Sequence, residues 1–285
     1  MCNDNTYTDG VYRYEKHEYE DGLFDNPIIS ATYIIHLEGN GQESHILDQL
    51  KEYHPTNIVY IVHNPGYKSG KKASFITNSA YDLVDANLNI FNHAKKQNYD
   101  NILILEDDFI FNPDIKKSIH IENIKNFLIK KANTDFQYYF GCLPLIMIPY
   151  DKYNYINKSV GTHCVVHSKA HRNKLLNKDQ KQIYDWDHYN NYCNNRYAYY
   201  RPLCYQLFPE TENSKNWGVN IHGFEYYANK YFLSHLFKKM LRLLKLDKQV
   251  KPGYYYVYIY SKILFYQLIL LMIIFGIFIF RINKV

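Results

Sequence analysis

Over the first hundred residues, short apolar runs alternate with segments whose apolar residues recur at helical spacing. The runs Ile28–Leu37, Asn57–His63 and Ile102–Leu105 are rich in β-branched and other apolar residues, which is typical of strands buried on both faces. Between them, Ser44–Tyr53 and Ser79–Gln97 place apolar residues at helical spacing. This order of strand, helix, strand, helix and strand predicts parallel strands joined by crossover helices. The fold class is therefore α/β, with a Rossmann-type, mostly parallel sheet.

The remaining elements extend this sheet within a single predicted domain. Residues 27–230 contain no internal repeat and no low-complexity linker, so we expect one domain over this range. Residues 1–26 mix charged residues and tyrosines without periodicity, and we expect a flexible lead-in there. The further elements are a helix at Ile115–Ala132 and strands at Gln137–Ile148, Val160–His167 and Pro202–Phe208.

The C-terminal residues have the pattern of a membrane anchor. Phe232–Leu246 is amphipathic and basic, which suits an anionic lipid surface, and we treat 231–262 as a juxtamembrane segment. Ile263–Phe280 is almost entirely apolar and approaches the ~20 residues that a transmembrane helix needs. The tyrosines that begin at Tyr254 precede it like an interfacial aromatic belt. The alternative is a helix buried in the protein core. More basic residues precede the span than follow it, which predicts a single-pass C-terminal anchor with a cytoplasmic main domain.

Composition narrows the functional classes. At 47% hydrophobic residues, the 285-residue chain can form a substantial core, which excludes global disorder. The formal charge of +5 is mild, and its basic residues cluster near the C-terminus, so nucleic acid is not an expected partner. Five dispersed cysteines without a Cys-x-x-Cys pair indicate neither a disulfide framework nor a zinc ribbon. The 31 tyrosines, with abundant Asn, Ile and Lys, indicate an AT-rich coding sequence.

Three consecutive acids, Glu106, Asp107 and Asp108, end the third predicted strand. Their mutual repulsion is unfavourable unless a cation or a proton lies between them. In parallel sheets the ligand site lies at the carboxyl ends of the strands, where His36 and the Asn64–Gly66 turn also fall. Strand alternation places Glu106 and Asp108 on one side and Asp107 on the other. The alternative is a solvated strand end without a function.

Three motifs in order resemble the family 25 glycosyltransferases, the lipopolysaccharide and procollagen galactosyltransferase group. They are Ile102-Leu-Ile-Leu-Glu-Asp-Asp108, Gly161-Thr-His-Cys-Val-Val-His-Ser168 and Asp185-Trp-Asp187. The chain departs from the family at Asn87, where a His is usual, and at Val165 or Val166, where a Tyr is usual. The resemblance covers about residues 28–217 and is that of a divergent, large-DNA-virus-type member.

The resemblance implies a GT-A-like fold and metal-dependent transfer of a sugar from a nucleotide-sugar donor, with UDP-sugars favoured. The acceptor is a hydroxyl of a glycan, a protein or a lipid, and transfer of a hexose such as galactose is expected. Asp108 and Glu106 are the expected ligands of Mn²⁺ or Mg²⁺, because all-oxygen ligation suits these cations. His222 is a third candidate ligand. His36, Asn87 and Glu106 are the candidates for binding the donor.

The acceptor hydroxyl must lose a proton in an inverting transfer, which requires a general base. Asp187 and Asp185 are the candidates. The alternative for Asp185 is a cap on the helix that follows it.

Two other functions remain open from the sequence. A two-metal phosphohydrolase or nuclease needs a second carboxylate cluster beside Glu106–Asp108, and only Asp185 and Asp187 offer one. A catalytically inactive, membrane-attached glycosyltransferase relic is the other, since Asn87 replaces the family's His.

Overall fold

A mixed sheet with a parallel centre forms the core, and it confirms the predicted α/β class. The computed structural model describes residues 6–208 and 234–282. Within them, eight strands form one sheet in the order β1-β2-β4-β3-β5-β8-β7-β9, and β6 pairs with β10 in a small ribbon. The strands are β1 (Thr6–Asp9), β2 (Tyr12–Glu18), β3 (Ala31–Leu37), β4 (Ile58–Asn64), β5 (Ile102–Glu106), β6 (Phe109–Phe111), β7 (Gln137–Pro149), β8 (Asn154–His167), β9 (Arg196–Tyr199) and β10 (Cys204–Gln206). The helices are α1 (Glu43–Glu52), α2 (Ser79–Lys96), α3 (Ser118–Lys130), α4 (Lys169–Leu176), α5 (Trp186–Asn191), α6 (Ser234–Leu243) and α7 (Gly253–Ile282).

The three apolar runs form the parallel centre of the sheet. β3 pairs in parallel with both β4 and β5, and α1 and α2 provide the two crossovers. His36 lies opposite His63, and Ile35 lies opposite Glu106. The carboxyl ends of the three strands therefore meet at one edge of the sheet, as expected for a ligand site.

The expectation of a flexible lead-in at residues 1–26 is wrong for the part that the structure describes. β1 and β2 form a hairpin, and β2 pairs antiparallel with β4. Tyr12 and Tyr14 are buried, and their hydroxyls donate to Asp85 and Asn89 of α2. The residues that alternate with these tyrosines along β2, such as Arg13 and Glu15, are charged. Because tyrosine is itself partly polar, the sequence of β2 looks like that of an exposed segment.

The second half of the sheet is antiparallel and reaches past the end of β5. β8 pairs antiparallel with β5, with Leu105 opposite Cys164. The residues of β8 that precede His163, among them Gly161, therefore lie beyond Glu106, the last residue of β5. β9 pairs with the first residues of both β7 and β8, which lie at opposite ends of this antiparallel hairpin. The hairpin is therefore strongly bent, so that both of its ends reach β9.

The described residues of the predicted juxtamembrane segment pack against the domain and do not form a separate unit. Leu241 and Leu246 are buried, as are Tyr254, Val257 and Tyr258 in the first turns of α7. The Lys262 ammonium donates to the Tyr200 carbonyl at 2.6 Å. From Ile263 onward most large apolar side chains are exposed, whereas Phe265 and Ile269 are half-buried. Gly253–Phe280 is long and apolar enough to cross a membrane.

Two truncations are expected to separate the exposed part of α7 from its buried part. A chain that ends after Lys262 keeps the buried turns, so it should fold and leave the membrane fraction. A chain that ends after Pro252 loses Tyr254, Val257 and Tyr258, which together contribute roughly 5 kcal/mol or more of burial. That is comparable with the whole stability of a typical domain. Thermal melting and membrane fractionation after a high-salt wash measure both effects. A folded 1–262 chain that stays in the pellet would contradict the anchor.

Candidate active site

Glu106 and Asp108 share one amide donor at the carboxyl end of β5. The β6–β10 ribbon places Gln206 over the two carboxyl groups, with Gln206 opposite Phe109. The Gln206 Nε2 atom lies 2.8 Å and 2.9 Å from the two carboxyl oxygens of Asp108. It lies 3.4 Å from Oε2 of Glu106. One neutral amide group therefore bridges the pair.

The electrostatics of this pair favour a positive charge between its members. Both side chains are half-buried, so they are surrounded by protein atoms but remain open to solvent on one side. Removal from water, and then the charges of Asp108, Asp187 and Asp107, hold the pKa of Glu106 well above its usual range. Removal from water likewise raises the pKa of Asp108 to about 6, although the hydrogen bond from Gln206 opposes this. A cation or protons at this position relieve the repulsion.

Asp107, in the turn that follows β5, contacts the end of β3. Its Oδ2 atom accepts hydrogen bonds from the Leu37 amide at 2.9 Å and from Asn40 Nδ2 at 2.6 Å. His36 Nδ1 lies 3.4 Å from the same oxygen, and the His36 ring packs edge-on against His63. Asp107 therefore ties the end of β3 to the end of β5.

Asp187 is close enough to Glu106 for its charge to affect that carboxyl group, whereas Asp185 caps a helix. Asp185 is the N-cap of α5, and its Oδ1 atom accepts from the His188 amide at 2.7 Å. Asp187, in the first turn of α5, accepts from the Gly161 amide at 2.8 Å. Its charge contributes to the raised pKa of Glu106, so the two carboxylates lie within reach of each other's field. Gly161 has a φ of 74°, a left-handed conformation that favours glycine.

Gln206 and Tyr254 complete the site, and no motif in the sequence assigns them to it. The backbone N–H of Gln206 donates to the Tyr254 hydroxyl of α7 at 3.0 Å. His163 is buried beside the Tyr254 ring, and its Nε2 atom lies 3.5 Å from the Cys204 carbonyl. Burial lowers the pKa of His163 to about 4, so the imidazole is neutral at pH 7.

The other predicted site residues have different surroundings. Asn87 is buried in the middle of α2, where its Nδ2 atom donates to the Leu83 carbonyl at 2.9 Å. His36 is buried and contacts Asp107, with 3.4 Å between its Nδ1 atom and Asp107 Oδ2. His222 lies outside the described residues. The structure therefore brings together Glu106, Asp108 and Asp187.

The donor set fits a hard divalent cation that is completed by substrate. Such cations are often held by one or two carboxylates, with phosphate oxygens and water as the remaining ligands. Glu106 and Asp108 supply two adjacent carboxylates with raised pKa values and an opening to solvent. In residues 6–208 and 234–282, no three His, Cys, Asp or Glu side chains converge as a metal ligand set.

Comparison with known proteins gives weak structural similarity. No protein-family model matches the chain, and no curated protein matches its sequence. A glycosyltransferase involved in the glycosylation of the major capsid of PBCV-1 is 12% identical, with a TM-score of 0.39 over 63% of this chain and 95% of that one. Mannose-1-phosphate geranyltransferase from Thermus thermophilus is 11% identical, with a TM-score of 0.34 over 59% of this chain and 72% of that one. Scores this low carry neither the fold nor the function, which rest on the geometry above.

Proposed function

We propose that this protein is a metal-dependent glycosyltransferase that uses a nucleotide-sugar donor. The observation that carries the proposal is the pair Glu106 and Asp108 at the carboxyl end of a parallel strand, with Asp187 close enough for its charge to affect Glu106. The UDP-sugar preference and the transfer of a hexose such as galactose rest on the motif resemblance to family 25 alone. We include a single-pass anchor at 263–280 and a cytoplasmic domain in the proposal.

Glu106 and Asp108 hold the donor end of the reaction. A bound Mn²⁺ or Mg²⁺ supplies positive charge for the diphosphate that leaves the sugar. Asp108 accepts two hydrogen bonds from Gln206, which fixes the orientation of its carboxylate. The half-buried position of both groups limits water and strengthens their interaction with a cation. The protein keeps the two carboxylates close together despite their repulsion, since Gln206 contacts both of them.

Asp187 serves the acceptor end. Its Oδ2 atom accepts from the Gly161 amide, and its charge contributes to the raised pKa of Glu106. In this proposal Asp187 takes the proton of the acceptor hydroxyl as the new glycosidic bond forms. The role of Asp185 as the N-cap of α5 accounts for an aspartate at that position, so Asp187 is the preferred base.

A donor screen tests the function directly. Full-length protein in detergent is incubated with UDP-, GDP- and CMP-sugars and Mn²⁺, and both binding and slow hydrolysis of the donor are measured. The proposal expects one nucleotide class to bind and turn over, with turnover abolished by EDTA and restored by Mn²⁺. Folded protein that binds none of the donors would instead favour the inactive relic.

The acidic pair is also expected to make stability depend on pH and on cations. A raised pKa means that the folded state holds these protons more tightly than the unfolded chain, so this stabilisation is full below about pH 4 and is lost as the pH rises through about 6. For Asp108, the shift from 3.8 to about 6 corresponds to on the order of 3 kcal/mol. In EDTA, wild-type stability should fall between pH 4 and 7 relative to Asp108→Asn, while Mn²⁺ should raise the Tm most at pH 7.

Thermal melts of both proteins across this pH range, with EDTA or Mn²⁺, measure the effect. Superimposable pH profiles for wild type and Asp108→Asn in EDTA would show that the carboxyl groups do not interact as described.

A further inference from the structure

An apolar groove lies between α7 and the C-terminal part of β7. Its volume is about 800 Å³. Each side chain that lines it is aliphatic, aromatic or methionine, with no polar residue among them. Its lining includes Ile146 and Ile148 of β7, and Phe265, Leu268, Met272 and Phe275 of α7.

The groove belongs to the part of α7 that is long and apolar enough to cross a membrane. Phe275 is 64% exposed and Met272 is 66% exposed, and the large apolar residues on the other faces of this stretch are exposed as well. Apolar surface of this extent is unfavourable in water and is expected at a contact with hydrocarbon. Ile146 and Ile148 continue that surface from the helix onto the domain, and their strand remains paired with β8. The groove is therefore open to lipid chains from the side.

Both walls of the groove lead to the candidate active site. β7 passes through Gly141, where an added Cβ would collide with the Cys204 carbonyl and the His163 ring. From Gly141 to Ile146 the strand covers five residues, or roughly 16 Å. The first turn of α7 lies at the site, where the Tyr254 hydroxyl accepts from the backbone N–H of Gln206. From Tyr254 to Phe265 the helix covers eleven residues, again roughly 16 Å.

We propose that the groove holds the hydrocarbon chain of a lipid-linked acceptor. This inference rests on the proposed function, of which it specifies the substrate class. The nucleotide-sugar donor is water-soluble and carries no chain, so the chain belongs to the acceptor. A polar head group that spans roughly 16 Å would then extend along α7 from the groove to Tyr254 and Gln206, beside the Asp108 carboxylate, while the chain stays in the groove. The protein selects its acceptor by the chain as well as by the sugar.

Alkyl glycosides with equal sugars and different chains test the acceptor class. Full-length protein in phosphatidylcholine nanodiscs is given the donor and either methyl or dodecyl glycosides of glucose, galactose and mannose. The proposal expects at least a tenfold higher kcat/KM for a dodecyl glycoside than for its methyl counterpart. Ile148→Trp fills the groove and should remove most of this preference.

Ile273→Trp is the matched control, because Ile273 is exposed on the same helix and does not line the groove. It should keep the dodecyl preference, which separates groove binding from simple enrichment of the chain in the membrane. Equal loss in both variants, or equal use of methyl and dodecyl glycosides, would overturn the proposal. Donor hydrolysis should be the same in wild type and both variants.

Photolabelling gives a second readout that does not depend on turnover. A dodecyl glycoside with a diazirine in its chain should label peptides that contain Ile146–Ile148 and Phe265–Phe275, and Ile148→Trp should reduce that label severalfold. Labelling spread evenly around α7, or α7–α7 cross-links unaffected by the probe, would overturn the groove as an acceptor site. Groove labelling that persists in a protein without donor binding or hydrolysis would show that the proposed function has failed while the groove remains.

Discussion

The Asp108→Asn variant is expected to lose donor turnover by about 10²–10³-fold, because a cation that stabilises a leaving group contributes several kcal/mol. The asparagine is the same size and still accepts the hydrogen bond from Gln206, so the ribbon should remain in place. One of two adjacent negative charges is removed, and Mn²⁺ affinity should fall with turnover. Rates of donor hydrolysis, together with Mn²⁺ titration, measure both quantities in the same preparation.

Asp107→Asn is the control for the loss of charge. It removes an equal charge one residue away, from a carboxylate that contacts Leu37 and Asn40. We expect a modest loss of stability and turnover within about fivefold of wild type, since the hydrogen-bonded acceptor is retained. If both variants lose turnover equally, net charge in this region matters and the assignment to Asp108 is wrong.

The Asp187→Asn variant is expected to lower sugar transfer by about 10²–10⁴-fold, which is the usual contribution of a general base. Asparagine still accepts from the Gly161 amide, so the start of α5 should keep its position. Donor binding should be nearly unchanged, because Asp187 acts on the acceptor. The measurements are donor Kd by titration and transfer rates as a function of pH. The part of the pH profile of the transfer rate that reports deprotonation of the general base should be lost in this variant.

Asp185→Asn is the matched control two residues earlier. Asparagine caps a helix as well as aspartate does, so α5 and transfer should both be maintained within about twofold. A large loss of transfer in Asp185→Asn with normal activity in Asp187→Asn would reverse the two assignments.

The parallel centre of the fold follows from the sequence because its strands are unbroken apolar runs. β3, β4 and β5 lie where these runs are, and the two helices between them have a clear helical spacing. β1 and β2 do not follow from it, because the buried face of β2 is made of tyrosines whose hydroxyls bond to α2. A tyrosine beside charged residues gives no signal for burial until its partner is known. The neighbour of a strand is a property of the whole chain, which local patterns do not contain.

The same limit applies to the site. The acidic residues follow from their place at the end of an apolar strand, although Asp107 and Asp108 lie in the turn after β5 and strand alternation does not apply to them. The cap at Asp185 follows from its place before a helix. Gln206 lies 98 residues from Asp108 along the chain. Its position depends on the pairing of two three-residue strands, which are too short to have a recognisable pattern. Tyr254 has the sequence context of an aromatic belt, although its ring is buried in the domain.

The uninterrupted passage of α7 from the domain core into its exposed apolar stretch makes a stiff joint. No linker separates the two parts, because the helix is continuous from Gly253 to Ile282. In a bilayer, the eighteen residues Ile263–Phe280 would be about 27 Å long, close to the hydrocarbon thickness of a thin membrane. A thicker or thinner bilayer changes the tilt of such a helix, and the whole domain must tilt with it. Bilayer thickness would then set the angle between the membrane surface and the site formed by Glu106 and Asp108.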